Sequence, residues 1–283
     1  MTGRRLHVQA LRLRAQLDTR ALAVLDSLYR FRLLTNAQVQ RLYLVDGAPG
    51  SRIRRTQYLM KRLQALALVV RLSRGIGGVR GGSSGFIYGL SALGQAVLDV
   101  SGPAGGGRRR RVWETTPYFQ NHMLGVAELY VGLRESERQS QAVLLTFASE
   151  PNCWRHFTGS GGELVVLKPD AYVRIGFQAV ERRVFVEVDL ATESLPTIVR
   201  KSARYVAYWR SGVEQQREGV FPQVVWLVPN QRRLQNIERA LGSLAVEASG
   251  LFNVALINTG PRLLMTPPEL ADTTDHTSGR PPP

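Results

Sequence analysis

Three carboxylates, Asp170, Glu187 and Asp189, fall within the stretch KPDAYVRIGFQAVERRVFVEVDLATES (168–194), whose apolar residues are spaced as in a hairpin of strands. Side chains alternate across a strand, so Glu187 and Asp189 are expected on one face while Val186 and Val188 turn to the core on the other. Antiparallel pairing with the preceding strand would bring Asp170 alongside. Carboxylates gathered in one place repel, and at least one pKa rises unless a cation relieves them. A divalent cation is the economical answer. Mg²⁺ or Mn²⁺ takes oxygen ligands and keeps waters, and such an ion activates water and steadies a phosphodiester transition state. The alternative without chemistry is a solvated hairpin edge, or pairing of the acids with Arg174, Arg182, Arg183 and Arg204.

The segments that would position these acids alternate between helical and extended patterns. TPYFQNHMLGVAELYVGLRESERQ reads as a long helix, and AVLLTFAS, GELVVLKPDAYVRI and RRVFVEVDL read as strands. Pro196 then opens the helix PTIVRKSARYVAYWRS at a position where its missing N–H does no harm. PQVVWLVP is a further strand, NQRRLQNIERALGSLAVEA a helix and FNVALIN a last strand. The order α-β-β-β-α-β predicts an α/β domain with a mixed sheet over residues 112–262. Upstream, SGPAGGGRRRR (101–111) has no apolar periodicity and reads as a Gly/Arg linker, and residues 263–283 read as a Pro/Thr-rich disordered tail.

Residues 1–100 follow a different pattern. Leu22, Leu25, Leu28 and Tyr29 suit an amphipathic helix, Thr35 an N-cap for a short second helix (NAQVQRLYLV), and SRIRRTQYLMKRLQALALV a third with Ile53, Leu59, Leu63 and Leu66 as its buried stripe. The strands VVRLSR and FIYGL, joined by a glycine-rich tip, and a closing helix (SALGQAVL) complete the order of a winged helix-turn-helix. Charge supports that reading. Residues 1–111 hold 20 Lys and Arg against 4 Asp and Glu, while the remainder is nearly balanced, with 17 against 18. A merely arginine-rich chain would spread the excess evenly; a module that meets double-stranded DNA concentrates it. Arg52, Arg54, Arg55, Lys61 and Arg62 lie off the apolar stripe of the third helix, the element such a fold lays in the major groove, and Arg71, Arg74 and Arg80 belong to the wing.

The Pro-Asp step at 169–170, the E-x-[K/D] step at 187–189 and the surrounding α-β-β-β-α-β order resemble the PD-(D/E)XK (restriction-endonuclease-like) superfamily. More narrowly, NHMLGVAELYVGL, LKPDAYVRI, VFVEVDLATES and KSARYVAYW together look like the replication-relaxation family of plasmid and mobile-element proteins. The resemblance implies Asp170 and Glu187 as metal ligands, Glu128 as an extra acid and Mg²⁺ or Mn²⁺ as the cofactor. Asp189 stands where the superfamily has its lysine, and Lys201, on the next helix with Arg204 and Tyr205 one turn on, is the migrated replacement. A lysine there would orient the attacking water or neutralise charge on the phosphate. The implied activity is DNA binding in plasmid replication and relaxation of supercoiled DNA by nicking. If Lys201 does not reach the site, the domain is a non-catalytic clamp, and the protein a replication or transfer accessory factor or a transcriptional regulator. A homodimer reading paired half-sites, and replication or conjugation proteins as partners, belong to the same expectation.

Several classes are set aside. No apolar run approaches the roughly 20 residues that cross a bilayer, and the N-terminus lacks a signal-peptide core, so a cytoplasmic location is expected. The single cysteine, Cys153, excludes an internal disulfide and a Cys-cluster zinc site and reads as packing. The glycine-rich GIGGVRGG lacks the GK[ST] ending of a phosphate loop, and no His-x-His pair of the tyrosine relaxases occurs. His122 falls at the spacing of Phe119 and Val126 and reads as packing or capping; Tyr205 and Tyr208 read as core or DNA-stacking residues.

Overall fold

The computed structural model describes residues 3–72, 86–100, 116–178 and 180–268. The chain opens with α1 (Gly3–Gln16) and α2 (Thr19–Phe31), then β1 (Leu33–Thr35), α3 (Asn36–Tyr43) and α4 (Pro49–Ala65). The strands β2 (Val69–Leu72) and β3 (Ile87–Leu90) follow, and α5 (Ala92–Asp99) closes this unit. Side chains fix the helix starts. Asp18 accepts the N–H of Ala21, and Thr35 and Gln38 bond each other's backbone in a reciprocal capping box. The three strands form an antiparallel sheet in the order β1-β3-β2, with α3 and α4 ahead of the β2–β3 pair.

The second unit begins with α6 (Pro117–Glu137) and continues through β4 (Val143–Ser149), β5 (Arg155–Thr158), β6 (Leu164–Leu167), β7 (Ala171–Gly176) and β8 (Glu181–Val188). Then come α7 (Leu195–Ser211), α8 (Val213–Glu218), β9 (Gln223–Val228), α9 (Gln231–Leu241), β10 (Phe252–Leu256) and α10 (Gly260–Leu264). Five strands make one mixed sheet in the order β10-β9-β8-β7-β4: β4, β7 and β8 run antiparallel, and β9 and β10 lie parallel to β8. Strand alternation sorts the two faces. Val184, Val186 and Val188 join the core beneath α6, whereas Phe185 packs with Ile198, Tyr205 and Trp226 beneath α7.

The N-terminal unit is welded to this frame. One apolar core runs from α2 through α6 into β4, β7 and β8. Its seam carries a cluster of Phe31, Tyr130 and Phe147, with ring centroids 4.9 to 5.7 Å apart.

The structure departs from the sequence expectations at identifiable places. The single strand expected over GELVVLKPDAYVRI breaks at Lys168–Asp170, where Pro169 has no N–H to continue a ladder; β5 and β6 form a separate two-stranded hairpin before β7 begins. Ile53 is 47% exposed, so the buried stripe of α4 is Thr56, Leu59, Met60 and Leu63. The tail expected from residue 263 begins later, because Leu264 and Met265 are buried in the core. The linker at 101–111, Arg74 and Arg80 in the wing, and the tail beyond 268 lie outside the described residues.

Candidate functional site

The three acids of the hairpin do not share one place. The β7–β8 register, Ala171 opposite Val186, extends by one step to set Asp170 against Glu187, as antiparallel pairing requires. Asp170 then curls back: its Oδ2 accepts the N–H of Val188 at 2.7 Å, and its Oδ1 lies 3.1 Å from Nε2 of His122 on α6. Glu187, fully buried, points beneath α7, where Tyr205 donates its hydroxyl to Oε1 at 2.5 Å and Lys201 Nζ stands 2.5 Å from Oε2. Asp189 lies just past the end of β8 and is gripped by Arg233 at the start of α9, Nε to Oδ2 at 2.6 Å and Nη2 to Oδ1 at 3.1 Å. The guanidinium of Arg233 also donates to the carbonyl of Glu193.

Glu128 belongs to another structure altogether. Six residues separate it from His122 on α6, a rotation of about 240° at 100° per residue, so the two cannot face the same site. Glu128 turns to α3, where it pairs with Arg41 and accepts from Gln38 at 3.1 Å. Arg41 also holds Glu135 at 2.6 and 2.8 Å. This acid ties the two units together and is not placed to be a ligand beside Asp170.

Electrostatics follow the contacts. Burial pushes the Glu187 carboxyl up to about 8, and the Asp170 charge adds to that, while Lys201 and Tyr205 oppose it. Lys201 is desolvated too, yet Glu187 and Asp170 together hold its pKa above the ordinary value. Burial would raise Asp170 as well, but the bond from His122, the nearby Lys201 and the Val188 N–H bring it below the usual carboxylate range. His122 is raised because Asp170 outweighs desolvation. The result is a charge relay, His122–Asp170–Lys201–Glu187–Tyr205, with buried carboxylates and partly exposed cations at His122 and Lys201.

That arrangement bears on the expected Mg²⁺ or Mn²⁺. Both oxygens of Asp170 and both of Glu187 already face a protein donor or cation. Asp189 and Glu128 are committed elsewhere, and among the described residues no three His, Cys, Asp or Glu side chains are placed to share a metal. In this arrangement each of these acids is engaged by groups of the protein itself. The pairing considered from sequence, with Arg174, Arg182, Arg183 and Arg204, is not the one formed either. Arg174 and Arg183 serve Glu181, and Arg182 caps the carbonyls of Leu263, Leu264 and Thr266.

The sequence model of the replication-relaxation family matches residues 25–224, a span reaching from α2 to the start of β9. The chain belongs to the replication-relaxation family. Membership points to a role in plasmid or mobile-element replication and relaxation. No curated protein matches the sequence. No helix among the described residues of this replication-relaxation chain is long and apolar enough to cross a membrane.

The basic face of α4 is the other site candidate. Arg54, Arg55 and Lys61 are exposed, and Arg52 and Arg62 are half-buried. Several are already anchored: Arg52 donates to the carbonyl of Val45 at 3.2 Å, Arg55 to that of Asp46, and Arg62 to that of Gln16 at 3.0 Å. Arg71 on β2 stacks over Phe86 at 4.3 Å. Between α4 and the β2–β3 pair lies an open groove of about 540 Å³, with Gln57, Lys61, Gln64 and Arg71 in its wall. Gln57, Gln64 and the 73% exposed Tyr58 share the outer face of α4 with the basic residues. They carry no charge to mark them in the sequence, and their only signal there is helical spacing from Arg54 and Lys61. Arg233 was missed as well, for it acts across 44 residues.

Two smaller expectations meet their surroundings here. Cys153 is buried, its thiol donating to the carbonyl of Pro169, and burial pushes its pKa up to about 12. Tyr205 and Tyr208 are fully enclosed core residues, their hydroxyls donating to Glu187 and Glu214.

Proposed function

We propose that this replication-relaxation chain docks on double-stranded DNA through the outer face of α4, with its C-terminal unit serving as a clamp whose acidic centre is neutralised internally. The observation that carries the reading is the coincidence of charge and shape. The charge excess of the chain lies in residues 1–111, and exposed cations with neighbouring amides occupy the second helix of the α3–α4 pair, just ahead of a β2–β3 wing. A winged helix-turn-helix uses that helix to meet base edges, where Gln57 and Gln64 supply paired donors and acceptors, while Arg54 and Lys61 hold phosphates. Fluorescence anisotropy with labelled duplex tests it. The double variant Arg54→Ala, Lys61→Ala should bind roughly tenfold more weakly and show a salt slope reduced by about 1.8, for two lost phosphate contacts. Unchanged affinity would remove α4 as the docking element.

A second reading, cleavage of one DNA strand, is favoured by one observation. Lys201 does reach Glu187, in register with Asp170, as the nuclease-like resemblance requires of a migrated lysine. The clamp reading expects supercoiled plasmid to stay supercoiled with Mg²⁺ or Mn²⁺ present. Conversion to open circles by the wild type, abolished by Asp170→Asn at undiminished DNA affinity, would establish the second reading instead.

A further inference from the structure

A groove of about 700 Å³ opens on the side of the molecule where the β5–β6 hairpin stands over α7. Its α7 wall is the exposed stripe Arg200, Ala203, Arg204 and Ala207, a spacing of three and four residues that stacks them along one face. The opposite wall is β6, with Leu164 74% exposed, and the exposed Lys168 just after it. Among the described residues no carboxylate is paired with Arg200 or Arg204, and Lys168 lies over the Trp154 ring at 4.5 Å. One acid, Glu163, lines the groove against these three cations.

We infer that this groove binds single-stranded DNA. Cations one helical turn apart track a phosphodiester backbone, the intervening alanines leave room for a close approach, and exposed apolar surface on β6 offers a face for bases. The volume is in the range of a site for a few nucleotides. Asp170 and Glu187 take their partners from His122, the Val188 N–H, Tyr205 and Lys201, none of which lines the groove, so it is a surface separate from the charge relay. It extends the proposed DNA-binding role, on which it rests: one surface meets the duplex, and the other receives a strand that relaxation or replication sets free.

The test uses the full chain with labelled oligothymidine and a duplex of equal length, titrated at several salt concentrations. Arg200→Ala with Arg204→Ala should weaken oligothymidine binding about tenfold and flatten its salt slope by about 1.4, leaving duplex affinity unchanged. Ala207→Glu, which adds an opposing charge at an exposed helical position, should weaken it as well. Arg54→Ala with Lys61→Ala should show the reverse selectivity. Oligothymidine affinity untouched by both groove variants, or duplex and single-strand affinity falling together, would overturn the inference. Loss of the α4 effect alone would refute the duplex-docking reading and leave the groove result standing.

Discussion

Glu187 is the residue whose environment differs most from its surroundings in sequence. Its carboxyl is wholly enclosed and its pKa is raised from 4.5 to about 8, so the folded state takes up a proton that the unfolded chain releases. The linkage sign follows: Glu187 contributes stability that falls as pH rises from 4.5 to about 8, and Glu187→Gln removes that share, leaving the slope of the same sign from His122, whose pKa is raised above 6.5. Urea denaturation across this window should show the variant gaining on the wild type with rising pH. Parallel curves would mean the carboxylate is ionised throughout, held by Lys201. At this scale the sequence was informative about identity and less so about company. Asp170 and Glu187 could be placed side by side from alternation and pairing, and Lys201 from resemblance. Arg233 could not, because its meeting with Asp189 depends on how β9 and α9 close over the end of β8, a tertiary fact without local pattern.

Elements were readable where they were long and periodic. α6, α7 and the core strands β8 and β9 match their expected segments, since each buries one face or two, and α6 and α7 also carry a side-chain cap and a proline at their start. Of the short pieces, β1 with three residues and β5 with four show no period, and β6 is fused with β7 in one expected strand. α1 was also missed, its buried side chains being Leu6 and Ala10 amid a basic surface. Packing between elements leaves no trace in periodicity at all. Gly94 on α5 is such a point: a Cβ there would lie 2.1 Å from the carbonyl oxygen of Leu68 and 2.7 Å from Leu90 Cδ1. Gly94→Ala, although favourable for an isolated helix, should therefore destabilise the protein by about 2 kcal/mol or more, as overpacked sites do. A melting temperature equal to wild type would show that α5 shifts freely.

For the whole molecule, the sequence suggested two units and a linker, and the structure joins them. The core shared by α2, α6 and β4, the aromatic cluster of Phe31, Tyr130 and Phe147, and the Arg41 bridge to Glu128 and Glu135 all cross the boundary. Composition could not show this, because the residues involved are ordinary core and surface types within each unit. The consequence is cooperative unfolding. Residues 1–100 contain no tryptophan, so fluorescence reports on the C-terminal unit while far-ultraviolet circular dichroism reports on helices of both. The two denaturation curves should coincide; an early loss of ellipticity ahead of fluorescence would separate the units.

The same seam sets a mechanical condition on whatever the protein holds. Arg41 and Gln38, which also bonds the carbonyl of Leu124, brace α3 against α6, so the seam resists hinging between the two units. For a nucleic acid held at both of the proposed stations, bending would fall to the polymer and not to this seam. Deformation energy would then be stored in the nucleic acid, and easily kinked or underwound tracts would be gripped most firmly.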